Sequence, residues 1–166
     1  MLTQSDAYRQ QFGFNSITVI PTNIYGPGDN FQIENSGVIP GIISKIHNAR
    51  KNDSNKITLW GDGKATRDFL FVDDASDGII LAAEKYNDVS PINLGAEYEI
   101  SINDLAIMIS KIMKFSGEIV WDMTKGNGQP RRCVSNNKAE KEIGFKPKTS
   151  LNDGLEKMIT WFESNN

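Results

Sequence analysis

Short β-branched and aromatic runs alternate with stretches of helical spacing along all 166 residues, and this alternation confines the chain to an α/β architecture. Residues 1–12 read as the rear of a helix stopped by Gly13, a residue free to take the left-handed conformation that ends helices. Ser16 to Ile20 is a β-branched run halted by Pro21 and reads as a buried strand. The Pro-, Gly-, Asn- and Asp-rich stretch from Pro21 to Ser36 reads as loop. From Val38 to Lys51 the apolar residues fall at 38, 39, 42, 43 and 46, the spacing of one helix face. Strands follow at 57–60 and 68–72, the first closed by Gly61-Asp62-Gly63, and a helix over 73–86 starts with two aspartates at its positive end. A strand at 91–94, a helix opened by Ser101-x-x-Asp104, a strand at 118–122 and a last helix opened by Ser150-x-x-Asp153 complete the pattern.

The length suits one domain with its own core. A formal net charge of −3 with no extended Lys/Arg cluster argues against a nucleic-acid partner. No apolar run approaches the ~20 residues that span a bilayer, and the first residues carry no basic, apolar leader. A cytoplasmic protein with no membrane partner is the expectation. The single cysteine, Cys133, excludes an internal disulfide framework. It stands beside Arg131 and Arg132, which could lower its pKa, but it reads as a quiet buried thiol in a strand. His47 has no second His or Cys near it and reads as a solvated helix residue, and no metal site is expected.

Two chemical signatures are missing from these residues. A dinucleotide site needs closely spaced glycines after a strand, so that the backbone can approach a pyrophosphate at a helix N-terminus. None of the 14 glycines forms such a triplet: Gly26/Gly28, Gly61/Gly63 and Gly126/Gly128 each stop at a pair. A tyrosine with lysine four residues on would let a perturbed phenol exchange protons with a sugar hydroxyl, and none of the four tyrosines has that lysine.

Several segments do carry a resemblance. Pro21-Thr22-Asn23-Ile24-Tyr25-Gly26-Pro27-Gly28-Asp29-Asn30-Phe31, then Asn35-Ser36-Gly37-Val38-Ile39-Pro40, Leu59-Trp60-Gly61-Asp62-Gly63 and Thr66-Arg67-Asp68-Phe69-Leu70-Phe71-Val72-Asp73-Asp74 occur in order. Ile92-Asn93-Leu94-Gly95 and the run from Asp122 to Arg132 follow. Together they resemble the nucleotide-sugar epimerases and dehydratases, the extended short-chain dehydrogenase/reductase family, and the likeness covers essentially the whole chain.

The resemblance implies a partial Rossmann-like sheet plus the small C-terminal substrate-binding domain of that family. Residues 1–166 would be the C-terminal part of an NAD(P)-dependent nucleotide-sugar epimerase/reductase. The cofactor-binding half, the glycine fingerprint and all catalytic groups would lie outside them. By the same resemblance Pro21, Thr22, Asn23 and Ile24 would line the nicotinamide end of NADP or NAD. Lys45, Trp60, Arg67 and Asn127 would hold the nucleotide-sugar, a GDP-sugar being favoured, with the Arg67 guanidinium fork suited to two phosphate oxygens. A homodimer is expected of the full-length form. One departure stands out. Where the epimerase-reductase branch of the family has a histidine acting as general acid, this chain has Gly37, which supports nucleotide-sugar binding but weakens double epimerisation. A 4-reductase, a 4-epimerase, a dehydratase and an inactive binding fragment stay open.

Overall fold

A computed structural model describes residues 2–166. Helix α1 (Leu2–Phe12) ends where Gly13, at φ 63°, donates its N–H to the Arg9 carbonyl. Strand β1 (Val19–Pro21) pairs in parallel with β5 (Ile92–Leu94), Val19 opposite Ile92 and Pro21 opposite Leu94. A parallel ladder uses alternate residues, so the bond to β5 next after Ile20 comes from the Thr22 N–H to the Leu94 carbonyl. Proline at position 21 therefore forfeits no bond to β5.

Strand β4 (Thr66–Phe71) is the spine of the molecule. Its second half pairs in parallel with β2 (Asn23–Tyr25), Asn23 opposite Phe69. Its first half is flanked by antiparallel β6 (Glu99–Ser101) and by the two-residue parallel β8 (Arg131–Arg132). A separate parallel pair joins β3 (Lys56–Trp60) to β7 (Glu118–Asp122) along the full length of both. The helices between and after these strands are α2 (Val38–Lys51), α3 (Val72–Lys85), α4 (Ile102–Ile112), α5 (Asn137–Ile143) and α6 (Leu151–Asn165).

Strand alternation splits the apolar core in two. Phe69 and Phe71 point into a cluster with Ile39, Ile43 and Ile46 of α2, Leu105 and Ile109 of α4, and Leu155 and Met158 of α6. Leu70, between them, points the other way, into a cluster with Ala75 and Ala82 of α3, Ile92 and Leu94 of β5, and Ile143 and Phe145. Burying each of the Leu, Ile, Met and Phe side chains among them is worth about 1.5–3 kcal/mol of transfer free energy. Helices α4 and α6 start as their Ser-x-x-Asp signatures require. The Ser101 and Ser150 hydroxyl oxygens accept the N–H groups of Asp104 at 3.0 Å and Asp153 at 3.1 Å.

The α/β alternation is observed, and the spans of α2 and β7 match the sequence reading, but several local expectations need correction. β2 lies inside the stretch read as loop; its ladder to β4 holds a segment whose Pro and Gly neighbours had disguised it. β1 begins at Val19 rather than Ser16. The short elements β6, β8 and α5 are too brief to show a period in the sequence. Cys133 follows β8 instead of lying in a strand, and it is half-buried. Burial and the carboxylates of Asp68 and Glu99 push its thiol pKa up, outweighing Arg131. His47 is not fully solvated: its ring meets Phe162 edge-on at 5.2 Å.

Candidate functional site

The loop from 26 to 36 is pinned onto the helices by Phe31, whose ring stacks on Phe162 at 4.4 Å and whose carbonyl accepts the Ser44 hydroxyl at 2.7 Å. That places Ile33, Ser36 and Gly37 along one rim of a cleft of about 220 Å³. Helix α2 presents Gly41 and Lys45 to it, β3 Leu59 and Trp60, β4 Arg67, β7 Trp121, and the loop after β7 Asn127.

All four residues assigned to substrate by resemblance line this one cleft. Lys45 reaches across to donate to the Thr58 carbonyl at 2.7 Å, and its ammonium lies 5.5 Å from the centre of the Trp60 ring. Partial burial lowers its pKa. Trp60 is 61% exposed, so it is a surface platform and not core. A second ammonium, Lys125, sits 6.0 Å from the same ring, a contact that no sequence spacing foretells. Arg67 is half-buried on β4, and its guanidinium donates to the Thr66 carbonyl at 2.6 Å.

Two glycines after β3 make the fourth residue's place. Gly61, at φ 83°, donates to the Asp122 carbonyl at 3.0 Å, and a Cβ on it would collide with the Asn127 amide oxygen. That oxygen accepts the Asp62 N–H at 2.7 Å, latching the 124–129 loop against the β3 turn. Gly63, at φ 72°, leaves the space that Trp121 fills; a Cβ there would come 2.6 Å from the indole. The loop itself starts with an Asx turn, in which the Asp122 carboxylate accepts the Thr124 N–H and hydroxyl, and these bonds hold its pKa down.

The electrostatics of the cleft oppose those of the whole chain. Its lining contains two ionisable side chains, Lys45 and Arg67, both cationic, and no Asp, Glu or His. It can bind an anion; it has no carboxylate or imidazole with which to move a proton near neutrality.

The cofactor-assigned residues lie elsewhere. None of Pro21, Thr22, Asn23 and Ile24 lines the cleft. Thr22 is buried with its hydroxyl on the Asp68 carboxylate, and the Asn23 amide donates to the Asp68 carbonyl at 2.9 Å. Ile24 is 43% exposed. The segment runs from the carboxyl end of β1 into β2, next to Gly95 at the carboxyl end of β5, where open α/β sheets place ligands.

Residues 2–95, more than half of the chain, match the family model described as NAD dependent epimerase/dehydratase family. The chain belongs to that family. Among its curated relatives, a GDP-L-fucose synthase of Sinorhizobium fredii is 42% identical over 159 residues, covering 96% of this chain and 50% of that protein. A probable GDP-L-fucose synthase 1 of Oryza sativa subsp. japonica is 39% identical over 159 residues, covering 96% of this chain and 48% of the relative. A solved GDP-L-fucose synthetase from Naegleria fowleri, bound to NADP, superposes with a TM-score of 0.90 at 29% identity, over 99% of this chain and 53% of that one. The chain thus spans about half the length of the family relatives it matches.

Residues that the sequence reading left out complete the cleft. Trp121 and Ile102 belong to elements whose apolar pattern marks them only as core, and Gly41 lies in the first turn of α2, where glycine carries no periodic signal. Asp68, next to Arg67 on β4, lies outside the cleft and gives no separate signal in the sequence. Among the described residues no group of His, Cys, Asp and Glu is placed to hold a metal ion, and no helix is long and apolar enough to cross a membrane.

Proposed function

We propose that this chain forms the nucleotide-sugar-gripping part of an NAD(P)-dependent epimerase/reductase of the GDP-L-fucose synthase kind, acting on a GDP-linked sugar in activated deoxysugar biosynthesis. The observation that carries the reading is the convergence of Lys45, Trp60, Arg67 and Asn127 on one cleft that holds two cations and no acid. Arg67 would clasp the diphosphate through two parallel N–H bonds, Lys45 would add point charge, and the Trp60 face would carry packing area. Such binding far from the reacting carbon fixes the sugar for reaction.

The nicotinamide cofactor, when bound, supplies hydride chemistry at the sugar. Of these residues, Asn23 keeps side-chain capacity both to donate to and to accept from its carboxamide. One amide N–H goes to Asp68, and its carbonyl oxygen and second N–H have no partner among the described residues. That fits one end of a dinucleotide. The remaining cofactor contacts and the proton-transfer groups are assigned to parts of the enzyme outside these residues, and a homodimer is expected of its full-length form. Gly37 on the cleft rim favours reduction or 4-epimerisation over double epimerisation, since it has no proton to give.

Calorimetric titration of this chain with GDP and UDP tests the reading. GDP should bind in preference to UDP, and Arg67→Ala should weaken binding by roughly 10- to 150-fold, the worth of a charge-assisted contact. The chain alone should show no NAD(P)H turnover with GDP-4-keto-6-deoxymannose. Failure of both nucleotides to bind, or an Arg67→Ala variant of unchanged affinity, removes the cleft from the active site.

A further inference from the structure

Asp68 has no exposed surface, yet it makes no ion pair among the described residues. Its Oδ1 accepts the Thr22 hydroxyl, and its backbone carbonyl accepts the Asn23 amide at 2.9 Å. Among the described residues its Oδ2 has no hydrogen-bond partner. Beside that oxygen is Gly95, where an added Cβ would come within 3.0 Å of it. Gly95 is held rigidly, its N–H donated to the buried Asn136 amide oxygen at 2.5 Å and its carbonyl accepting the Asn136 N–H at 2.6 Å. A buried carboxylate with a free oxygen is expensive, and hydrophobic packing has no use for it. Its placement suggests what the cost secures.

Arg67 and Asp68 are consecutive on β4 and point to opposite faces, one into the cleft and the other onto the turn between β1 and β2. Around them the strand is clamped: Arg67 pairs with Ile100 and Arg132, Asp68 with Glu99, and Phe69 with Asn23. No freely rotating residue separates the group that would meet a phosphate from the groups that hold Thr22 and Asn23. We propose that Asp68 is a positioning residue, which through Thr22 and Asn23 sets the β1–β2 turn and ties it to the strand bearing Arg67, so that an anion in the cleft is felt at the cofactor-facing segment. The functional sense of this link rests on the reading given under the proposed function; the link itself does not.

The test is residue-resolved amide hydrogen exchange on this chain, with and without saturating GDP. Bound GDP should slow exchange at residues 22–25 by about fivefold, the scale set by the net worth of one hydrogen bond to local opening. Thr22→Val, which removes the hydroxyl but keeps the shape, should speed exchange there by a similar factor and abolish the GDP effect. Without GDP, Thr22→Val should leave exchange along the β3–β7 ladder unchanged, which a general loss of stability would not allow. Thr22→Ser should restore both. Because Thr22→Val strands a carboxylate and could unfold the chain, the Thr22→Val/Asp68→Leu double variant leaves neither partner unpaired; it should fold and bind GDP without slowing exchange at 22–25. Persistence of the slowing in either variant, or GDP binding with no slowing in the unaltered chain, overturns the proposal. If GDP does not bind at all, the cleft reading fails instead, and the link is judged by Thr22→Val alone: faster exchange at 22–25 upholds it, and unchanged exchange refutes it.

Discussion

Replacing Gly61 by alanine attacks the turn that builds the cleft, and its cost can be worked from two separate causes. The first is backbone strain. At φ 83° an L-residue is left-handed, which costs roughly 1–2 kcal/mol. The second is steric. The new Cβ would collide with the Asn127 amide oxygen, so the side chain must swing away and surrender its 2.7 Å bond from the Asp62 N–H, worth about 1 kcal/mol. The sum, about 2–3 kcal/mol, lowers the thermal midpoint by about 5–10 °C for a chain of this size. Asn127→Ala alone loses only the bond. In the double variant the bond is counted once, so the combined loss should fall about 1 kcal/mol short of the sum of the single losses. Chemical denaturation of the four proteins, followed by tryptophan fluorescence, gives the cycle. Additive losses within experimental error would mean that Gly61 and Asn127 are not in contact, and the latched loop would have to be abandoned.

Ser150→Ala removes the hydroxyl that caps α6 and should cost about 1 kcal/mol, measured by urea titration; an unchanged midpoint would show that the cap is idle. Glu99 is held below its ordinary pKa by bonds from Arg131 and the Thr66 hydroxyl. A depressed folded-state pKa contributes stability above the unfolded pKa that is lost as pH falls through the folded one, so acid should loosen β6 and β8 below the usual glutamate range. Glu99→Gln should flatten that part of the stability–pH curve, and a curve of unchanged shape would count against it. The Cys133 thiol, its pKa raised by burial and two carboxylates, should alkylate with iodoacetamide more slowly at neutral pH than a free thiol; faster reaction would contradict the electrostatics.

Legibility in the sequence followed the length of each element. The apolar spacing from 38 to 46 and the Ser-x-x-Asp caps mark α2, α4 and α6 well because several turns repeat one signal, and the caps satisfy orphan N–H groups locally. Strand β2 has three residues and a Pro- and Gly-rich setting, so only its pairing with β4 reveals it. The burial of the three-residue strand β5 is equally invisible in the local sequence. Ile92 and Leu94 have no exposed surface, because Ala139, Ile143 and Phe145, downstream by some fifty residues, close over them.

Local chemistry, then, was written in the order of residues: the α/β alternation, the helix starts, the absence of a glycine triplet and of any Tyr–Lys pair, and the presence of Arg67 and Trp60 as side chains able to grip a phosphate or offer a flat face. Tertiary structure alone decided that Lys45, Trp60, Arg67 and Asn127, drawn from a helix, two strands and a loop, meet in one hollow, and that Asp68 turns its back on it. Periodicity reports which face of an element is apolar. Which faces come together depends on strand register and on glycines at 61 and 63 that let the β3 turn and its neighbours close, and those are properties of contacts between residues far apart in the chain.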